Sequence, residues 1–483
     1  MSPTARGAMP DFYSEPYLHL AGLTHKSALV TWGAFYFKTK SNDDEFKLVD
    51  DSDLRHVFPP RRQSIGAVSE PYGPAEVVVR DAAGAVVSRV PTAAANHAWV
   101  VNLQPDTPYR YEVIVKGEAW ASGRRRDWMA EKKGLQLGRA YENEFRTLPD
   151  PARPLSRPLC FAVIGDFGAG VKKPGSKQQE VANALDAIAR PRGVRFVVTT
   201  GDNIYAQKKL FGVVPIGSQG DEDDDWFFTF YQPYRYLINR LPVYPSIGNH
   251  DTGETEEQDD RTQLEDNFYI RERIMPDLAA GRASLGPGLF YRFRVGADVE
   301  LIALDTSKDS LLASDRLFLH PNHRQFLNDA FPAHSGPPAW RIPFGHHPPL
   351  CAGPQHGNTG DFAKPLDFDG QKASLLDLFR RAGVKVVLSG HEHNFQCSRE
   401  GSTLFVVTGG ASKVRTGQPG AEAMVNARTE GWAAECHFLL VTIDGPKMTL
   451  EPIAGLTPEG KPRYVNATTP SGAPQPMPMV VTL

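Results

Sequence analysis

At 483 residues the chain exceeds a usual single core, so two domains are the first expectation. Its 41% hydrophobic and 23% charged residues are those of an ordinary globular protein. A formal net charge of -3 gives no reason to expect nucleic acid or an anionic membrane as the main partner, and no apolar run reaches membrane-spanning length. Met1–Pro10 lacks the basic-then-apolar pattern of a secretory signal; a cytoplasmic protein is expected if this N-terminus is native, and a secreted or periplasmic one if it has been trimmed. The four cysteines, Cys160, Cys351, Cys397 and Cys436, form no Cys-x-x-Cys pair and are expected to be plain thiols.

Residues 12–149 read as short strands and turns. Ser27–Trp32 alternates, and Ala75–Val90 reads as two strands about a turn at Ala82-Ala83-Gly84. Leu103–Val113 gives a turn followed by Tyr109, Tyr111 and Val113 on one face, the pattern of a tyrosine corner, with Phe145–Pro149 as a last strand. The segment resembles a fibronectin-type-III-like sandwich. The basic run Arg124-Arg125-Arg126 is expected to be a solvated loop. Residues 150–158 are proline-rich and read as a linker.

Past the linker, strands alternate with helices. Phe161–Ile164 is an apolar strand; Ser176 and Gln179 suggest a capping box, and Val181, Ala184, Leu185 and Ile188 follow at helical spacing. The next strand runs into Gly201-Asp202, completing a β-α-β unit. Leu375, Leu378 and Phe379 suggest a helix stopped near Gly383, followed by a strand Val384–Leu388 leading to Gly390. A layered α/β domain over 159–455 is therefore expected. Residues 456–483, rich in proline and small polar residues, are expected to be an extended arm; Asn466-Ala467-Thr468 within it fits a glycosylation acceptor. The acidic stretches Asp221–Asp225 and Glu254–Asp260 are expected to be solvated loops.

Five blocks share one form, in which an extended run ends at glycine and a metal-competent side chain follows. They are Gly165-Asp166-Phe167-Gly168, Gly201-Asp202-Asn203-Ile204-Tyr205, Gly248-Asn249-His250-Asp251, Gly345-His346-His347-Pro348 and Gly390-His391-Glu392-His393-Asn394. Glycine lets the backbone turn sharply and approach a ligand. Carboxylate, amide, phenol and imidazole supply the mixed oxygen and nitrogen donors that hold iron, manganese or zinc.

In this order the blocks resemble the calcineurin-like metallophosphoesterase superfamily, and Tyr205 within Gly-Asp-x-x-Tyr is similar to the purple acid phosphatases. The resemblance implies a layered metallophosphoesterase β-sandwich flanked by helices, preceded by the all-β fibronectin-type-III-like domain. It also implies two metal ions. Asp166, Asp202, Tyr205 and His393 would hold a ferric ion; Asp202, Asn249, His346 and His391 would hold divalent iron, zinc or manganese, with Asp202 bridging. His250 would act as general acid beside the substrate, and His356 would touch the substrate. Pro343 stands where that family often has valine; the Gly-His-x-Pro core makes His346, rather than His347, the expected ligand. The implied activity is acid hydrolysis of phosphate monoesters on a small phosphorylated substrate, by attack of a metal-bound hydroxide. A phosphodiesterase on the same core, or a scaffold that has lost catalysis, are the competing expectations.

Overall fold

The computed structural model describes residues 12–40, 43–49, 71–128, 136–171, 175–205, 208–210, 214–216, 226–251, 259–280, 283, 288–306, 321–333, 336–358, 360–368 and 371–483. The acidic stretch Asp221–Asp225 and most of Glu254–Asp260 lie outside the described residues.

The N-terminal part is all β: β1 (Phe12–Leu23), β2 (Ala28–Lys40), β3 (Asp43–Leu48), β4 (Ala75–Arg80), β5 (Val86–Thr92), β6 (His97–Val100), β7 (Pro108–Val115), β8 (Glu118–Ala119), β9 (Arg124–Asp127), β10 (Gln136–Ala140) and β11 (Glu144–Arg146). They form a four-stranded sheet of β1, β2, β3 and β6, a five-stranded sheet in the order β11-β7-β4-β5 with β8 beside β7, and the pair β9-β10. Along β7, Tyr109, Tyr111, Val113 and Val115 are buried while Arg110 and Glu112 face water, the period of two that a half-buried strand requires. Tyr109 Oη accepts the Gln104 N–H at 2.9 Å, so the tyrosine corner is made. The basic run departs from expectation. Arg124–Asp127 is strand β9, and Arg125 is buried, donating to the Ser122 carbonyl and lying over the Tyr141 ring, because its long stem can be covered while the guanidinium finds acceptors.

The second part contains β12 (Leu159–Ile164), β13 (Val194–Thr199), β14 (Lys208–Leu210), β15 (Val214–Ile216), β16 (Val243–Pro245), β17 (Tyr291–Val295), β18 (Val299–Ala303), β19 (Trp340–Phe344), β20 (Leu366–Phe368), β21 (Gln371–Ala373), β22 (Val386–Ser389), β23 (Phe395–Glu400), β24 (Thr403–Thr408), β25 (Thr429–Ala433), β26 (Phe438–Asp444), β27 (Lys447–Leu456), β28 (Pro462–Tyr464) and β29 (Met479–Thr482). Two seven-stranded sheets result, one ordered β16-β13-β12-β26-β27-β28 with β29 on β27, the other β17-β18-β19-β22-β24-β23-β25. Strands β12, β13 and β16 run parallel, with β16 at the sheet edge, as do β18, β19, β22 and β24. In the second sheet Leu301, Ile342, Val386, Leu388, Leu404 and Val406 join the main core, whereas Ile302, Val387 and Phe405 face a separate cluster with Phe326, Leu327, Leu378 and Phe379 from flanking helices. One face meets the partner sheet and the other meets helices, which is why these strands read as nearly continuous apolar runs.

The helix Lys177–Ala189 follows β12 as expected, but Ser176 makes no side-chain cap; the Gln179 amide turns instead to Asn183 and Gln232. The helix Leu375–Arg381 has a full capping box from Ser374 and Asp377 and stops before Gly383, whose φ is 68°. The expected C-terminal arm is corrected too: β28 and β29 both pair antiparallel with β27, and Met479 and Val481 are buried. The proline-rich composition of 456–483 hides the short alternating run Met479-Val480-Val481-Thr482 that adds this last strand. All four cysteines are free thiols.

The two parts share one continuous core. The Phe35 ring packs on Phe227 at 5.2 Å and Tyr17 on Tyr231 at 4.4 Å. Tyr111 Oη donates to the Asn239 carbonyl, Tyr244 Oη to the Leu23 carbonyl at 2.8 Å, and Arg195 pairs with Asp106 at 2.9 Å. Glu15 is buried in the same region, and burial pushes its carboxyl up to about 7, with Arg125, Arg235 and Arg126 pulling against it. A folded-state value above the unfolded 4.5 means the folded chain keeps a proton that the unfolded chain releases between pH 4.5 and about 7, so stability falls as pH rises through that window. Glu15→Gln is therefore expected to gain stability over the wild type on going from pH 4.5 to pH 7.5, by up to roughly 3 kcal/mol. Urea midpoints at the two pH values check this, and an unchanged difference between them refutes it.

Candidate metal centre

Five parallel strands end at one place. Asp166 follows β12, Asp202 follows β13, Asn249 and His250 follow β16, His346 follows β19, and His391 and His393 follow β22. The carboxyl ends of parallel strands are where an open α/β sheet builds its sites. All nine residues singled out in the sequence are brought to this region, counting Tyr205 and His356.

The first group centres on Tyr205. Its Oη lies 3.0 Å from Asp166 Oδ1, 2.8 Å from Asp202 Oδ2 and 3.0 Å from His393 Nε2. Asp166, Asp202 and His393 are buried and offer atoms within 4.8 Å of one another. The second group centres on His346. Its Nε2 is 3.3 Å from Asp202 Oδ1, 2.9 Å from Asn249 Oδ1 and 3.0 Å from His391 Nδ1. Asp202 thus turns one oxygen to each group.

The proton inventory of these contacts is short. The Thr200 carbonyl can only accept, and His346 Nδ1 lies 2.9 Å from it, so Nδ1 carries a proton and Nε2 is the atom turned to the other donors. Nε2 faces an amide oxygen, a carboxylate oxygen and a second imidazole nitrogen, His391 Nδ1. Tyr205 has one proton for two carboxylate oxygens, with the His393 Nε2 imidazole nitrogen beside them. Converging acceptors about 3 Å apart are what ligands at right angles around one cation, each about 2.1 Å from it, would give. The donor set therefore fits a pair of cations.

The charge balance points the same way. Burial pushes the Asp166 carboxyl up to about 7, opposed by His346 and reinforced by Asp202. Burial also acts upward on Asp202, but His346 and His250 outweigh it and hold that carboxyl below the usual range. Burial and the two carboxylates raise the Tyr205 phenol well above its ordinary value. Burial lowers His391, and lowers His393 to about 4, leaving both imidazoles neutral with lone pairs to offer.

Glycine makes the close approach possible. A Cβ on Gly248 would lie 2.2 Å from both the Asp202 amide nitrogen and Oδ1, and one on Gly390 would lie 2.4 Å from Asp166 Oδ2. Just past Gly165, Gly201 and Gly390, Asp166, Asp202 and His391 take positive φ of 55°, 49° and 71°. Such strain in non-glycine residues collects at functional sites.

His250 donates its backbone N–H to Asp202 Oδ1 at 3.0 Å, and its ring sits edge-on to Tyr205 with Nε2 4.0 Å from Asp202 Oδ2. The His356 ring lies 4.0 Å from that of His391, centre to centre, and its N–H donates to Glu392. His347 turns its Nδ1 to Thr306 Oγ1 at 3.2 Å.

Sequence reading missed several participants. Asp251, inside the third block, accepts from the Gly248 and Asn203 amides and from Asn203 Nδ2, tying two blocks together. Glu392 is buried and accepts from Arg415 and the His356 N–H. Lys413 holds its Nζ 3.7 Å from the centre of the Tyr205 ring. The signal for Lys413 and Arg415 was there, since β24 also ends at glycine, in Gly409-Gly410.

Comparison with known proteins agrees with this geometry. Residues 160–395 match the family model described as calcineurin-like phosphoesterase. Purple acid phosphatase 3 of Arabidopsis thaliana is 26% identical over 57% of this chain and 68% of its own length; purple acid phosphatase 7 of that plant is 25% identical over 54% and 72%. In fold the chain is similar to the purple acid phosphatase PPD1 from yellow lupin (Lupinus luteus) seeds, with a TM-score of 0.55 and 12% identity over 97% of this chain and 74% of that one. It is also similar to PhoD, with a TM-score of 0.58 and 14% identity over 94% and 88%. Together these likenesses support a purple acid phosphatase-like metallophosphoesterase, a hydrolase. That class implies a dinuclear metal centre.

Gly390→Ala is expected to push Asp166 aside and lower the metal content of the purified protein. Gly420→Ala, whose Cβ would meet nothing within 4 Å, is the control. Elemental analysis checks both, and equal metal in the two variants refutes the close-approach argument.

Proposed function

We propose that the protein is an acid phosphatase that hydrolyses phosphate monoesters at two cations, ferric iron on the Tyr205 side and divalent iron, zinc or manganese on the His346 side. The observation that carries this reading is the division of Asp202, with one oxygen toward Tyr205, Asp166 and His393 and the other toward His346 and Asn249. Asp166, Tyr205 and His393 would hold the first ion, Asn249, His346 and His391 the second, with Asp202 shared. When bound, the cations would neutralise the phosphoryl oxygens and lower the pKa of the attacking water.

The chain's own groups do the rest. The Thr200 carbonyl fixes the His346 tautomer and ring plane, the kind of support that keeps a ligating imidazole oriented. His250, anchored through its backbone N–H on Asp202 and one quarter exposed, would give its proton to the departing alkoxide. His356, set over His391 by the Glu392 carboxylate, would contact the phosphate ester from the other flank. The N-terminal sheets, with their tyrosine corner, are read as a fibronectin-type-III-like support.

Asp202→Ala, folded as judged by circular dichroism, is expected to lose phosphate release from p-nitrophenyl phosphate; retained activity would sink the reading. His250→Asn is expected to lower kcat by about 10²–10⁴ while metal content stays at the wild-type level. Tyr205→Phe is expected to abolish the visible charge-transfer band of the iron-loaded protein, and a variant that kept the colour would remove Tyr205 from the iron site.

A further inference from the structure

The segment after β24 is stitched to two of the five blocks. The Ala411 N–H donates to the Gly165 carbonyl at 3.1 Å, Ser412 Oγ donates to the Asp166 carbonyl, and the Arg415 N–H donates to the His393 carbonyl at 2.9 Å. Gly409, upstream, sits where a Cβ would lie 2.3 Å from the Glu392 carbonyl oxygen and 2.8 Å from Asp166 Oδ2. Lys413 lies between two of these ties, so its backbone is fixed relative to Asp166 on one side and His393 on the other.

The two cations of this segment are not equivalent. Arg415 is matched, with Nη1 3.1 Å from the buried Glu392 carboxylate. Lys413 makes no ion pair among the described residues; its ammonium rests on the Tyr205 ring, whose neighbours include the His250 ring at 4.8 Å. A cation over a tyrosine face is held by the ring quadrupole yet keeps its hydrogens available for an anion. Lys413 is also exposed to solvent, so a ligand can reach it. A fixed positive charge with no direct carboxylate contact, beside a phosphoester site, favours the substrate carrying more negative charge.

We infer that Lys413 selects phosphate monoesters over diesters, its ammonium binding the phosphoryl oxygen that a diester lacks as a charged group. This rests on the phosphatase reading given above. A monoester dianion offers three unesterified oxygens and two charges; a diester offers two oxygens and one charge, with an organic group in place of the third. Lys413 contributes to recognition of the first and little to the second.

The test uses the full-length, metal-loaded protein with Lys413→Met, which keeps an unbranched stem without charge, and Lys413→Arg, which restores the charge. For p-nitrophenyl phosphate, Lys413→Met is expected to raise KM by about 10- to 100-fold, the range of a charge-assisted hydrogen bond, with kcat little changed. For bis(p-nitrophenyl) phosphate its KM and kcat should match the wild type, and Lys413→Arg should recover most of the monoester KM. Equal losses on both esters, no loss on the monoester, or a wild-type preference for the diester overturns the inference. Calorimetry with inorganic phosphate separates this from the wider reading: affinity should fall in Lys413→Met in proportion to the KM change, and unchanged affinity overturns the inference whatever the turnover. A wild type that cleaves neither ester, yet loses phosphate affinity in Lys413→Met, would refute the phosphatase reading and leave the anion contact standing.

Discussion

Asp166 and Asp202 are both fully buried, and they share a single phenol proton donor, Tyr205. Taking a carboxylate out of water costs several kcal/mol unless positive charge or good donors compensate. The chain compensates Asp202 with His346 and His250 but leaves Asp166 pushed up to about 7. The neutral imidazoles of His391 and His393 and the Asn249 amide bring no positive charge to this spot, and the nearby Lys413 ammonium lies on the Tyr205 ring, making no ion pair with either carboxylate. Everything else about the site serves to hold that surplus of acceptors together. A metallophosphoesterase centre is the arrangement in which such a donor set is useful, because cations held by Asp166, Asp202 and His346 would also attract a phosphoryl group.

Holding acceptors together is a backbone problem before it is a side-chain problem. Three of the five strand exits use the same device, a glycine followed by a residue with positive φ. Each such residue costs on the order of 1–3 kcal/mol and persists only when its surroundings fix it. The fixing bonds cross between the exits: the Asp166 N–H donates to the Gly201 carbonyl, the Gly390 N–H to the His346 carbonyl, and the His391 N–H to both oxygens of Asp166. The loops therefore constrain one another, and the geometry of each metal-competent side chain depends on glycines in a neighbouring block.

The legibility of the sequence follows from this. The five blocks could be read because the chemistry needs glycine and a donor in adjacent positions, a local signal that survives in one dimension. The two inner sheets were legible for a related reason, since strands covered on both faces leave apolar runs such as Val194–Thr199. What could not be read depends on contacts between distant segments. Arg125 looked like part of a solvated charge run, and only the strand β9 and its neighbours bury it. Met479–Thr482 carries a strand pattern of only four residues inside a proline-rich stretch, and its partner β27 is what makes it a strand. Lys413 and Arg415 follow a glycine exit like the others, but lysine and arginine are not metal donors, so a search framed around ligands passes over them.

The N-terminal sheets bear on the site through β16. That strand is short and stands at the edge of its sheet, yet it delivers Asn249 and His250. An edge strand of three residues has few ladder bonds of its own. Its Tyr244 hydroxyl reaches across to the Leu23 carbonyl at the end of β1, Arg273 lies over the Tyr244 ring while donating to the Val243 carbonyl, and Tyr291 donates to the Pro245 carbonyl from the other sheet. The strand is thus gripped from both sides, by the N-terminal part and by the second catalytic sheet. Because the loop it carries packs Gly248 directly against Asp202, a slackening of β16 would be felt at the one carboxylate that faces both groups of donors. The all-β part thus supplies one of the side-chain bonds on the strand that carries Asn249 and His250.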